Sequence, residues 1–126
     1  MRILIVDDSS MMRAMIKRVV KLTNVPVEEI LEAGNATQAL SLLEAHDVQL
    51  LLTDINMPGM SGADLLRAVA TNDRWRRLTR VVISTDGSAA RREEVAGLSV
   101  RCYLDKPFSP EVLRDVITEA ANAARV

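Results

Sequence analysis

The sequence predicts an α/β fold, a doubly wound five-stranded parallel sheet flanked by five helices. Two observations carry that expectation. Short apolar runs alternate along the chain with segments whose apolar residues recur at helical spacing. The run interiors Leu50-Leu51-Leu52 and Val81-Val82-Ile83 are continuously apolar, as expected where helices cover both faces of a parallel sheet. Right-handed crossovers between successive strands then place helices on both sides.

The first strand is read as Arg2 to Val6, ending at Asp7-Asp8. A helix follows from Ser9 to about Thr23, with Met12, Met15, Ile16, Val19 and Val20 at helical spacing, and Pro26 closes the segment. A second strand starts at Ile30-Leu31 and ends at Gly34. Asn35 is placed to cap a helix reaching about His46, with Ala36, Ala39, Leu40 and Leu43 on one face. The most apolar strand runs from Val48 to Ile55 and delivers Asp54 at its end. The loop Met57-Pro58-Gly59-Met60-Ser61-Gly62 leads to a third helix marked by Leu65, Leu66 and Val69. Arg80 to Ser84 forms the fourth strand, a weaker helix starts near Ser88, and Val100 to Leu104 forms the fifth strand. Ser109-Pro110-Glu111 opens the last helix, with the hydroxyl at the cap and proline in the first turn. Its apolar face is Leu113, Val116, Ile117 and Ala120. The expectation is one domain over residues 1–126 with no output domain in this chain.

Composition narrows the function classes. Hydrophobic residues make up 48% and aromatics 2%, so the core is aliphatic and the chain is not disordered. Sixteen basic and 17 acidic side chains leave a formal charge of −1, which gives no footprint for nucleic acid. One basic cluster stands out, Arg74-Trp75-Arg76-Arg77 with Arg80, and is read as a solvated loop ahead of the fourth strand. The single cysteine, Cys102, excludes an intrachain disulfide and a Cys₄ zinc site. No apolar run approaches the roughly 18 residues that cross a membrane, and a signal peptide is not expected, because Ile3-Leu4-Ile5-Val6 is too short and is followed at once by acids. The expected location is the cytoplasm.

Ligands of such sheets bind beyond the carboxyl ends of the strands, where the strand order reverses. Those ends carry Asp7 and Asp8, then Asp54 and Asn56, then Ser84 and Thr85, then Asp105, Lys106 and Pro107. Two carboxylates about 5 Å apart repel by about 3 kcal/mol at an effective dielectric near 20. Three acids therefore need compensation, and a hard divalent cation such as Mg²⁺ supplies it through carboxylate oxygens and water. Lys106 adds a second positive charge. A carboxylate can attack phosphorus to give an acyl phosphate, whose oxygens the cation and the lysine would neutralise.

These residues resemble the receiver domain of two-component response regulators over the whole chain. The resemblance rests on Asp7-Asp8, on Asp54 with Met57-Pro58-Gly59 after it, on Ser84 at the end of the fourth strand, and on Lys106-Pro107-Phe108. The opening Asp7-Asp8-Ser9-Ser10-Met11-Met12-Arg13 is similar to the chemotaxis branch, the CheY-like regulators. The resemblance implies that Asp54 accepts a phosphoryl group from a sensor histidine kinase. It implies that Asp8, Asp54 and the backbone carbonyl of Asn56 ligate Mg²⁺, with Asp7 acting through water. Lys106 and Ser84, with Thr85 beside it, would contact the phosphoryl group, and Tyr103 would reposition. Asn56 and Asp86 would tune hydrolysis, and a cis bond is expected at Pro107. The output surface would be the fourth helix, fifth strand and fifth helix, read by a downstream protein such as a motor switch. The expected state is a monomer, with dimerisation on phosphorylation left open. Ser84 departs from the threonine of many relatives, and Leu98-Ser99-Val100 departs from a frequent Gly-Ala turn.

Other readings exist on the same residues. Asp7-Asp8 taken alone could simply cap a helix. An aspartyl-phosphate phosphatase needs an acid two residues after its nucleophile, and Asn56 cannot be one, so a turnover enzyme is not expected. A nucleotide or flavin site lacks its glycine-rich loop, because Asp7-Asp8 fills that turn. A receiver degenerated into a binding module would show losses among these residues, and none is missing. A phosphorelay intermediate, a phosphate sink and a receiver excised from a larger regulator remain open.

Overall fold

The computed structural model describes residues 1–124 of the 126. Five strands alternate with five α-helices. They are β1 (Arg2–Val6), α1 (Ser10–Leu22), β2 (Glu29–Ala33), α2 (Ala36–Ala45), β3 (Leu50–Thr53), α3 (Gly62–Ala70), β4 (Thr79–Ser84), α4 (Ala89–Val95), β5 (Val100–Asp105) and α5 (Pro110–Ala124). All pairings are parallel, in the order β2-β1-β3-β4-β5. This is the doubly wound sheet that the apolar runs require. The strand order reverses between β1 and β3, so the carboxyl ends of those two strands open the crevice of the fold. Among the described residues, no helix is long and apolar enough to cross a membrane.

The period-two alternation of strands divides the core between two faces. Leu4, Val6, Leu51 and Val82 point to one side and pack against α2, α3 and α4 through Ala39, Leu43, Leu66, Val69 and Val95. Ile3, Ile5, Leu50, Leu52, Val81 and Ile83 point to the other and meet Ile16 and Val20 of α1 and Leu113 and Ile117 of α5. The helix starts are chemically marked. Ser9 Oγ accepts from Met12 N at 3.2 Å, and Asn35 Oδ1 accepts from Gln38 N at 2.8 Å. Ser61 and Asp64 form a reciprocal capping box on α3. At α5 proline takes the first position, but the Ser109 hydroxyl donates to the Glu111 carboxylate at 2.6 Å instead of capping the backbone.

Two further expectations need correction. The third strand stops at Thr53, so Asp54 stands just past its end, although its N–H still donates to Val6 O at 2.9 Å. The basic cluster is also not a solvated unit. Arg80 is only 5% exposed, and Trp75 is buried beside it. Arg80 donates to the carbonyls of Leu98 and Trp75, both at 2.9 Å, and its Nε has no partner among the described residues. Burial lowers its pKa. Arg80 thus ties a 3₁₀ turn (Asp73–Trp75) and the α4–β5 loop together below the sheet. Replacing it by alanine strands two carbonyls, so Arg80→Ala is expected to cost about 2 kcal/mol in urea unfolding. A solvated side chain would change stability by less than about 0.5 kcal/mol.

Candidate functional site

The site is assembled by strand ends. Asp7 follows β1, Asp54 follows β3, Ser84 ends β4, and Lys106 follows β5. One carboxylate oxygen each from Asp7, Asp8 and Asp54 lies within 4.8 Å of the others. Asp7 and Asp54 are buried, and Asp8 is exposed. Lys106 comes from the edge strand, yet its Nζ reaches over the rim to Asp7 Oδ2 at 2.7 Å and Asp54 Oδ2 at 3.2 Å. The three side chains are only 8% (Lys106), 2% (Asp7) and 11% (Asp54) exposed, so water screens them weakly. Burial alone would push the Lys106 ammonium down. The hydrogen bond and charge of Asp7 and the charge and hydrogen bond of Asp54 together outweigh it, and its pKa rises above the ordinary 10.5.

The two oxygens of Asp54 have different partners. Oδ1 accepts the N–H groups of Ile55 at 2.7 Å and Asn56 at 3.3 Å, while Oδ2 faces Lys106. The loop after Asp54 is held by glycine. A β-carbon on Gly62 would sit 1.9 Å from the Asp54 carbonyl oxygen, so any other residue there would displace α3 from the backbone of Asp54. Gly59 takes φ +78°, the left-handed turn the loop needs. Neither requirement is written in the local sequence pattern.

Around the rim, the other expected residues fall into two groups. Asn56 Nδ2 donates to Asp86 Oδ2 at 3.4 Å, so these two flank the opening together. Hydrogen bonds from Ser88, and then from Asn56 and Arg91, hold the Asp86 carboxyl below its ordinary range. Ser84 is fully buried, and its Oγ accepts the Asp86 N–H at 3.2 Å rather than touching Asp54. Thr85 is exposed and lines an apolar groove with Met12, Lys106 and Phe108. Tyr103 is half-buried and its hydroxyl donates to the Asp86 carbonyl. Burial pushes that phenol up. Asp105 turns away from the acids to Arg92, which donates to it at 2.9 Å and stacks 4.5 Å over the Tyr103 ring. The Lys106-Pro107 bond is cis.

Residues 3–118 match the response regulator receiver domain family. This chain belongs to that family. It is 38% identical over 116 residues to chemotaxis protein CheY1 of Helicobacter pylori, covering 91% of this chain and 92% of that protein. It is 39% identical over 117 residues to chemotaxis protein CheY of Pseudomonas aeruginosa, covering 93% of each. The structure of the chemotaxis response regulator CheY4 of Vibrio cholerae superposes with a TM-score of 0.82 at 24% identity, over 94% of this chain and 97% of that one, and shares the fold. Receiver domains bind Mg²⁺ at an acidic pocket, and the trio Asp7, Asp8 and Asp54 is such a cluster. Its donors are hard carboxylate oxygens, which suit that cation.

The sign of the lysine's contribution to stability follows from its raised pKa. Its stabilisation is complete below pH 10.5 and is lost as pH rises through the higher folded value. Lys106→Met is expected to cost about 3 kcal/mol near pH 7 in metal-free urea unfolding, because it leaves buried acids uncompensated. The variant should also lack the part of the alkaline stability loss that the lysine causes, and unfolding at pH 8 to about 11.5 checks this.

Proposed function

We propose that this receiver is a phosphorylation switch in which Asp54 accepts a phosphoryl group from the phosphohistidine of a sensor kinase. The observation that carries this reading is the Lys106 ammonium on Asp54 Oδ2, in a buried acidic crevice at the sheet's reversal point. Backbone N–H groups occupy Oδ1, which leaves Oδ2 as the oxygen that bonds to phosphorus while the donor's P–N bond breaks. Asp8, Asp54 and the carbonyl of Asn56 would hold Mg²⁺, with Asp7 acting through water. When bound, that cation supplies positive charge against the phosphoryl oxygens. Lys106 supplies further positive charge.

The same reading assigns the output. Ser84 Oγ accepts the Asp86 N–H; turning to the phosphoryl group would release that N–H. Asp86 is also the carbonyl acceptor of Tyr103, so the two movements are coupled through one residue. The face formed by α4, β5 and α5 then changes for a downstream partner. Moving such a face from mostly off to mostly on takes about 5 kcal/mol of differential stabilisation. The chemotaxis names of the relatives support a motility pathway, with a flagellar motor switch or another signalling protein as the target. Asn56, being no acid, supports a switch that keeps its phosphoryl group over a turnover enzyme. Asn56 and Asp86 set how long it is kept.

Incubation with acetyl phosphate and Mg²⁺ is expected to add one acid-stable, base-labile phosphoryl group by intact mass. Asp54→Asn should abolish it. A wild-type protein that stays unmodified, or an adduct that survives Asp54→Asn, contradicts the assignment.

A further inference from the structure

Of the three clustered acids, Asp8 is the least restrained. Among the described residues nothing donates a hydrogen bond to its carboxylate, and it lies in solvent. Its direction is therefore set by the backbone on which it sits. That backbone is pinned from α1. Arg13 Nη1 donates to the Asp7 carbonyl oxygen at 2.6 Å, and the Asp7 N–H donates to Ala33 O at 3.1 Å. The Asp7 carbonyl and the Asp8 N–H belong to one rigid plane, so fixing that oxygen fixes the plane from which the Asp8 Cα emerges. The Asp7 side chain closes the turn by accepting the Ser9 N–H at 2.9 Å.

Arg13 itself is held in place. Its Nε donates to Glu32 Oε1 at 3.2 Å, and Lys17 takes the other oxygen of Glu32 at 3.3 Å. The guanidinium side chain is only 19% exposed. An unpaired arginine this close to three acids would be drawn onto their carboxylates and would compete with a cation. Glu32 answers that charge on β2 and leaves the other arm of the guanidinium for the carbonyl.

We propose that Arg13 is a positioning residue that orients Asp8 for divalent-cation binding through the Asp7–Asp8 peptide. This rests on the metal reading above and adds a residue outside the acid cluster to it. The two possible effects of Arg13 have opposite signs. As a charge it opposes a cation, and its removal would tighten Mg²⁺ binding. As a positioning group it supports the ligand, and its removal loosens binding.

The test is calorimetric titration of the full chain with Mg²⁺, with metal-free melting temperature and circular dichroism recorded beside it. Arg13→Ala is expected to weaken Mg²⁺ binding about tenfold, as removal of an outer-shell partner does. Arg13→Gln keeps helix propensity and most of the stem but falls short of the carbonyl; it should weaken binding similarly, and it decides the matter if Arg13→Ala does not fold. A variant that is folded and binds Mg²⁺ as tightly as wild type, or more tightly, overturns the proposal, whatever its melting temperature. Such a result with a wild type that binds leaves the function proposed above intact. A wild type that takes up no Mg²⁺ overturns both.

Discussion

The Lys106 ammonium between Asp7 and Asp54 is the contact on which the rim depends. The sheet order brings the ends of β1 and β3 side by side, and both end in buried acids. Like charges held that close in a poorly solvated crevice would force the strand ends apart. The lysine comes from the far edge of the sheet and must cross the ends of β4 and β3 to reach them. One side chain therefore joins the edge strand to the two strands at the reversal point. The fold can keep acids in its crevice because a positive charge is built in beside them.

The rest of the site is organised as a boundary around this charge balance. On the α3 side, Gly62 lets the helix press against the Asp54 backbone. On the β4 side, Ser84, Asp86 and Tyr103 form a short chain of hydrogen bonds that starts in the core and ends at the surface. Arg92 closes the outer end, stacking on Tyr103 while it donates to Asp105 and to the Gly87 carbonyl at 3.2 Å. A change in where the Ser84 hydroxyl points would reach α4 and β5 through these few contacts. That is the kind of discrete rearrangement a two-state switch needs.

Much of this was legible in the sequence, for physical reasons. Continuous apolar runs report a doubly covered parallel sheet, and polar residues at run ends report its rim, so the sequence itself places Asp7, Asp54, Ser84 and Lys106 on that rim. What escaped were contacts that no local pattern encodes. Arg80 reads as a member of a basic surface cluster, but it is buried on β4 and its charge meets the carbonyls of Trp75 and Leu98. Gly62 reads as a loop glycine, and only the approach of α3 to Asp54 shows why no side chain fits. Arg13 is visible in the sequence only as the end of the Asp7–Arg13 stretch, and its contacts depend on Glu32 and Asp7 meeting it in space. Strand three ends earlier than its hydrophobicity suggests, since Ile55 is buried in the loop rather than in the ladder.

A double-mutant cycle with Asp54→Asn and Lys106→Met, read by metal-free urea unfolding near neutral pH, tests the charge balance most directly. The lysine should matter far less once Asp54 is neutral, giving a coupling of more than about 1 kcal/mol between the two positions. Changes that add within about 0.3 kcal/mol would contradict the account, because Lys106 would then not be balancing the acid at the heart of the site.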